Sequence, residues 1–250
     1  MTTLRGFLRL TWVEMLLFLR EWQAVFFSFV FLPMLLFLFG AIFRTHPGVE
    51  LGGFAQGDLL LPIPMAIGIA SNAIYTVSGP LAVYRERGIL KRFWATPLRP
   101  YAVLLAQGAV VYAMTMLAAL LLIGIAKFSF GLSAAVNPWA MWGAFTLGSA
   151  ALISLGFLLG SLFPTARSTY AINSTIFFGM IFLSGTAIPL ELLPPAVKGV
   201  AQFIPLTYVL DLLKHAWLGQ GSWPLSQDLA VLGGLAVGAT ALAAALFRWD

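Results

Sequence analysis

Six long apolar runs separated by short polar breaks account for most of the chain, at roughly 22–43, 59–83, 101–125, 138–163, 170–189 and 226–247. Each reaches the ~20 mostly apolar residues that carry a helix across a bilayer. The pattern therefore predicts an all-α membrane protein with six transmembrane helices in a single domain over 1–250. Prolines fall inside the first two runs, at Pro33, Pro62, Pro64 and Pro80. Membrane helices accept them where neighbours satisfy the freed carbonyls.

Two further segments have helical periodicity but do not read as spans. In residues 1–21, Arg5, Arg9, Trp12 and Arg20 fall on one arc of a helix, Glu14 and Glu21 fall on the other side, and Leu, Phe and Val fill much of the remainder. This predicts a helix lying in the headgroup layer with its arginines toward phosphates; the alternative is an inward extension of the first span. Before the sixth run, Pro194-Pro195 can open a short helix, along which Val197, Val200, Ala201 and Ile204 recur at helical spacing. Pro205 breaks it, and Leu206, Val209, Leu210 and Leu213 mark a second piece. Residues 190–217 are thus expected to fold back as re-entrant helices.

Composition strengthens the membrane reading. Of 250 residues, 9% are charged, against about 25% in soluble domains, and the mean hydropathy is +0.94. With the N-terminus inside, ten of the fourteen Lys and Arg residues lie on the inner side and four outside. This places both termini in the cytoplasm. The same bias accounts for a pI near 9.8 without a nucleic-acid partner. The absence of cysteine excludes a disulfide framework and any cysteine-ligated metal. Arg5, Arg9, Glu14, Arg20 and Glu21 interrupt the first apolar stretch, which therefore does not read as a cleavable signal peptide.

The most polar stretch, YRERGILKRFWATPLRP at 84–100, lies between spans two and three on the inner side. Taken as a helix over 85–95, it gathers Ile89, Leu90, Phe93 and Trp94 on one face and Arg87, Lys91 and Arg92 on the other, with Arg85 at its start. An orientation signal needs the charges but not the aromatic face. A helix that docks on a cytoplasmic partner or lies along the membrane needs both. Glu86 falls within the apolar arc and calls for a cation, unless the helix begins after Gly88 and leaves Glu86 free.

The stretch YRERGILKRFWATPLRPYAVLLAQ resembles the first cytoplasmic loop of permeases of the second ATP-binding-cassette exporter type, where a Glu-basic-Gly-x-Leu-basic-Arg element precedes Thr-Pro-Leu. FLSGTAIPLELLPPAVKGVAQFIPLTYVLDLLKH, at 182–215, is similar to the same family's exit from span five and its two short helical pieces. Lys214 stands where many relatives have arginine. The resemblance covers essentially the whole chain. It implies an N-terminal elbow helix, a coupling helix between spans two and three, and a dimer of permeases (two identical or related copies) over cassette ATPase subunits. It also implies a bacterial or archaeal inner membrane. Arg85, Glu86, Arg87, Leu90, Lys91, Arg92, Phe93 and Trp94 would then contact the ATPase.

The remaining chemistry agrees. No G-x-x-x-x-G-K-[ST] occurs, so this chain binds no nucleotide by a P-loop, and ATP with magnesium is expected on the partner. No G-x-S-x-G occurs, the two histidines, His46 and His215, both lie toward the outer side, and no carboxylate falls at a span centre. This argues against an enzyme and against a metal site, and leaves an ion-coupled secondary transporter as the alternative outside the family, disfavoured by span centres without ionisable groups. Neutral polarity remains within the spans: Asn72, Tyr75 and Thr76 in span two, and Asn173, Phe177, Met180 and Ser184 in span five. These are either helix-to-helix hydrogen bonds or the walls of a path. With aromatic and Met side chains and no fixed charge, such a path suits an amphiphilic or hydrophobic cargo; polysaccharide is the alternative within the family.

Overall fold

The computed structural model describes residues 2–45, 50–51, 54–55, 59–89, 101–131, 137–163, 165–188, 190 and 193–246. Apart from turns and short connections, the described residues form helices and one hairpin with two residues per strand, β1 (Glu50–Leu51) with β2 (Phe54–Ala55), which the apolar pattern did not indicate. In chain order the helices are α1 (Thr2–Arg20), α2 (Trp22–Phe26), α3 (Leu32–Thr45), α4 (Pro62–Ser71), α5 (Ser78–Glu86) and α6 (Tyr101–Phe130). They are followed by α7 (Pro138–Leu162), α8 (Ala166–Leu183), α9 (Pro195–Ala201), α10 (Pro205–Leu218) and α11 (Leu225–Leu246). A π-helical segment, Phe27–Phe31, joins α2 to α3, and a second, Asn72–Val77, joins α4 to α5.

Five stretches are long and apolar enough to cross a membrane: Trp22–Ile42, Pro62–Glu86, Ala102–Phe130, Pro138–Leu162 and Leu225–Leu246. They coincide with five of the six apolar runs to within a few residues. The fifth run, 170–189, folds as α8, which starts earlier and stops at Leu183. Its eighteen residues rise about 27 Å, and its first half is polar (Arg167, Ser168, Thr169, Asn173), so it does not stand among the five. The α9–α10 pair bends by 84° and makes six if counted as one span. The two short helices expected over 190–217 are present, and Pro205 opens the second instead of only ending the first.

Local chemistry sets the boundaries. Asn137 caps α7 by accepting from the Ala140 N–H at 3.1 Å, with Pro138 at the first helical position. Thr165 caps α8 through the Ser168 N–H at 3.2 Å. Glu21 is extended and separates α1 from α2, so α1 is not a simple extension of span one. On α1, Leu10, Glu14 and Phe18 are buried one turn apart, while Arg5, Arg9, Trp12 and Arg20 are exposed. That buried face rests on α6, through Leu10 against Val103 and Ala106 and through Phe18 near Val110.

Span two, α4 to α5, is the axis of the bundle. Ile69, Ala70, Ala73, Ile74 and Val77 are almost fully buried within one apolar core. Span four meets it through Gly156 and Gly160, one helical turn apart. A Cβ on Gly156 would lie 2.1 Å from the Ala73 carbonyl oxygen, and one on Gly160 3.1 Å from Ser78 Cα. Only glycine permits this backbone approach, which is how membrane helices gain packing without a hydrophobic driving force.

Candidate functional site

The π segment and Pro80 leave carbonyls in span two without their usual helical donors. Span three and α8 supply replacements. Pro80 cannot donate to the Thr76 carbonyl four residues back; Gln107 Nε2 donates there at 3.3 Å and to the Val77 carbonyl at 3.1 Å. Asn173 Nδ2 donates to the Ile74 carbonyl at 3.2 Å and to Ser78 Oγ. Asn72 joins three spans: its Oδ1 accepts from the Ser28 hydroxyl at 2.7 Å, and its Nδ2 donates to Thr115 Oγ1 at 3.1 Å.

Asn72 and Thr76 from this network also line a cleft of about 630 Å³ between spans one, two and α8. Tyr75 and Phe177 meet edge to face, with ring centroids 5.2 Å apart, and Phe178 stands 5.7 Å from Phe177. Phe27, Phe31 and Ile67 continue the wall. Four residues that the sequence nominated for a path, Asn72, Tyr75, Thr76 and Phe177, line this cleft together. The other three stand elsewhere. Asn173 is buried against span two, Met180 is in the core, and Ser184 bonds Thr186 at 3.0 Å in a smaller pocket at the far end. The cleft also has a charged member that the sequence did not indicate, Glu21.

Glu21 and the buried Glu14 line an adjoining vestibule of about 250 Å³. The Tyr84 hydroxyl donates to Glu14 at 3.2 Å. Burial pushes the Glu14 carboxyl above the usual carboxylate range, partly offset by that hydrogen bond, and burial alone raises Glu21. Sequence reasoning placed both acids opposite the arginines of α1. It missed that this opposite face is the packed one; the i, i+4, i+8 spacing of Leu10, Glu14 and Phe18 was the available signal.

Nearby lie the described residues of the basic loop. Arg85 Nη1 donates to the Ser161 carbonyl at 2.8 Å. The Ala166 N–H donates to Glu86 Oε2 at 2.8 Å, so Glu86 receives the N-terminus of α8 instead of a cation. Gly88, at φ +64°, ends this helix by bonding back to the Arg85 carbonyl. The helix expected over 85–95 is therefore interrupted at residues 87–88, and Glu86 is not free as the alternative of a start after Gly88 would leave it; residues 90–95 lie outside the described residues. Arg87 is exposed at the break. Leu90, Lys91, Arg92, Phe93 and Trp94 lie outside the described residues, as does His46.

At the opposite end of the bundle, α10, the turn after it and α11 meet in a second polar cluster. Asp211 accepts from the Ser222 and Trp223 N–H groups at 2.7 and 2.8 Å. His215 Nε2 donates to the Trp223 carbonyl at 2.8 Å and stands 3.8 Å from Asp211 and 3.7 Å from Asp228. Among the described residues this is the one group of His and acid donors close enough to share a metal ion. The i, i+4 spacing of Asp211 and His215 was the available signal for two of its members, but Asp228 arrives from a different helix, where spacing could not place it.

Comparison with known proteins gives concordant matches. The family model described as ABC-2 type transporter matches residues 5–217. The Escherichia coli K12 inner membrane transport permease YadH is 21% identical over 217 residues, covering 86% of this chain and 84% of that protein. Nodulation protein J of Rhizobium leguminosarum bv. trifolii is 26% identical over 209 residues, covering 79% of this chain and 76% of its own length. For the homonymous protein of bv. viciae the match is 29% over 103 residues and spans 40% of that protein.

Proposed function

The chain belongs to the ABC-2 type transporter family, and from that premise we propose that it moves an amphiphilic or hydrophobic compound out of the cytoplasm or the inner leaflet. As a permease of this family it is the non-catalytic, multi-pass membrane subunit, and such permeases pair with ATPase subunits. ATP and magnesium therefore act on the partner. In this reading α8 is span five, α9 and α10 form a re-entrant pair, and α1 is an interfacial elbow. Both termini are cytoplasmic, the membrane is an inner membrane as for YadH, and two permease copies stand over the ATPases. The 85–94 segment makes the ATPase contact.

The observation that carries the cargo class is the cleft: an aromatic wall around Tyr75 and Phe177, backed by spans whose polar groups are mostly used in bonding one another. Apolar walls with few convergent polar groups are the usual make-up of a small-molecule site. The test is cargo-stimulated ATP hydrolysis by the purified complex in lipid. Tyr75→Ala combined with Phe177→Ala should raise the half-maximal concentration of apolar cargo about ten-fold, a loss near 1.4 kcal/mol, with basal hydrolysis kept. Unchanged stimulation across a broad cargo panel would make these rings packing alone.

A further inference from the structure

We propose that the vestibule at the foot of the cleft selects for positive charge, so that the cargo is a cationic amphiphile whose apolar body rests against Tyr75 and Phe177 while its cationic group is held by Glu21 and Glu14. This rests on the exporter reading above and narrows it to one class of compound.

Four observations carry it. First, cleft and vestibule are contiguous: Glu21, Thr76 and Tyr170 line both. A molecule with an apolar body and a polar head therefore fits the pair of spaces better than either alone. Second, the vestibule holds two carboxylates, and among the described residues no Lys, Arg or His stands within 4.0 Å of either. Arg9 and Arg20, which flank the two acids in sequence, are exposed, and Arg85, next to Tyr84, donates through Nη1 to the Ser161 carbonyl and keeps a buried Nη2 without a hydrogen-bond partner. Third, Gln107 is buried in the vestibule wall with Oε1 unpartnered. Its orientation follows from its bonds, because Nε2 must face the two span-two carbonyls it serves. The remaining oxygen can only accept. Fourth, the one hydroxyl donor tied to these acids, on Tyr84, is spent on Glu14. The space therefore offers a visitor two carboxylates, beside the neutral hydroxyls of Thr76 and Tyr170. Such a lining recognises an ammonium or similar cation and rejects an anion.

Burial makes the arrangement selective. A carboxylate held away from water without a counter-ion is costly, and a cation entering beside it relieves that cost. Here burial disfavours the charged form of both acids. Cation binding is then coupled to their ionisation, while a neutral compound gains nothing from it.

The test uses the permease with its ATPase subunits in phosphatidylcholine nanodiscs, which carry no net surface charge. It is titrated with rhodamine 6G, a lipophilic cation; Nile red, which is neutral; and 1-anilinonaphthalene-8-sulfonate, an anion. The parent should bind rhodamine 6G about ten-fold or more tighter than the anion. Glu21→Gln should weaken rhodamine 6G about ten-fold and change Nile red less than about two-fold, a charge-specific loss near 1.4 kcal/mol. Glu21→Lys should invert the order of cation and anion, and Glu21→Asp should keep it. Should Glu21→Gln fail to assemble, Glu14→Gln must show the same selective loss in smaller measure. Equal weakening of Nile red and rhodamine 6G, or a parent without preference for the cation, overturns the inference. Nile red that binds without charge preference and is lost in Phe177→Ala leaves the exporter reading standing alone. Failure of all three probes to bind removes both.

Discussion

Span two and the last span are both uninterrupted runs of helix, Pro62–Glu86 and Leu225–Leu246, yet 83% of the most apolar window of the first is buried inside the protein and only 17% of the second. The buried span is the less apolar one. It carries Pro62, Pro64 and Pro80, Asn72, Ser71, Thr76 and Ser78, and it departs from α-helical geometry over Asn72–Val77. In water the reverse would hold. In a bilayer lipid tails are as apolar as leucine, so hydrophobicity does not drive a helix inward; close approach and hydrogen bonds do. Polarity within a span therefore marks the helix that other helices serve, and here the same helix walls the cleft.

The sharpest way to break this contrast is at the contact between spans two and four. Gly156→Val would place a side chain against the Ala73 carbonyl, where a Cβ alone comes within 2.1 Å of the oxygen. Overpacking a core typically costs about 1–3 kcal/mol, and here the obstacle is backbone, which cannot turn aside. Loss of monodisperse, folded complex is expected. On the last span, a Cβ at Gly233 or Gly234 would meet no neighbour within 4 Å. Gly233→Ala with Gly234→Ala should leave thermal unfolding in detergent unchanged or slightly raised, since alanine is favoured over glycine by about 1 kcal/mol in a helix. Comparable damage at both sites would end the distinction.

A smaller effect is expected from polarity itself. Asn72→Leu removes the bonds to Ser28 and Thr115 that tie spans one and three to span two. At about 0.6–1.7 kcal/mol for each such bond in a membrane, the loss is about 1–3 kcal/mol. The last span offers the matched control: Thr240→Val removes one partly buried bond to Ser154 and should cost about 0.6 kcal/mol. Equal midpoints for the two variants in a thermal melt would show that Asn72 gains nothing from its central place.

These differences also explain what could be read from the chain. Five apolar runs became spans because length and hydropathy are properties of contiguous residues, and the break at Pro205 is local chemistry of the same kind. The cleft lining was half legible. Asn72, Tyr75, Thr76 and Phe177 line one cleft, but Asn173 shares their character and is spent on span two, because Pro80 and the π segment leave carbonyls there for neighbours to satisfy. No periodicity reveals that demand. Glu14, Glu21 and the meeting of Asp211, His215 and Asp228 were hidden for a related reason: their chemistry arises only where separate helices converge.

The smallest expected effect concerns Glu86, at the end of span two. As a lone acid among cations it invited a partner across a subunit boundary, yet its Oε2 accepts the Ala166 N–H at 2.8 Å and so stitches the end of span two to the start of α8. Glu86 is exposed, and a carboxylate at a helix N-terminus is worth about 0.3–1 kcal/mol. Glutamine keeps an acceptor oxygen while removing the charge. Glu86→Gln is therefore expected to lower stability by less than about 1 kcal/mol and to keep cargo-stimulated ATP hydrolysis within about two-fold. Phe93→Ala with Trp94→Ala is the informative counterpart. If that segment docks on the ATPase, truncating its aromatic face should cost about 2 kcal/mol or more of binding and abolish stimulation, while membrane insertion is kept. Both variants should be assayed in the purified complex beside a thermal melt. The opposite outcome, an uncoupled Glu86→Gln with an unchanged melt and a coupled aromatic variant, would move the role from the aromatic face to the charge and make the contact with Ala166 incidental.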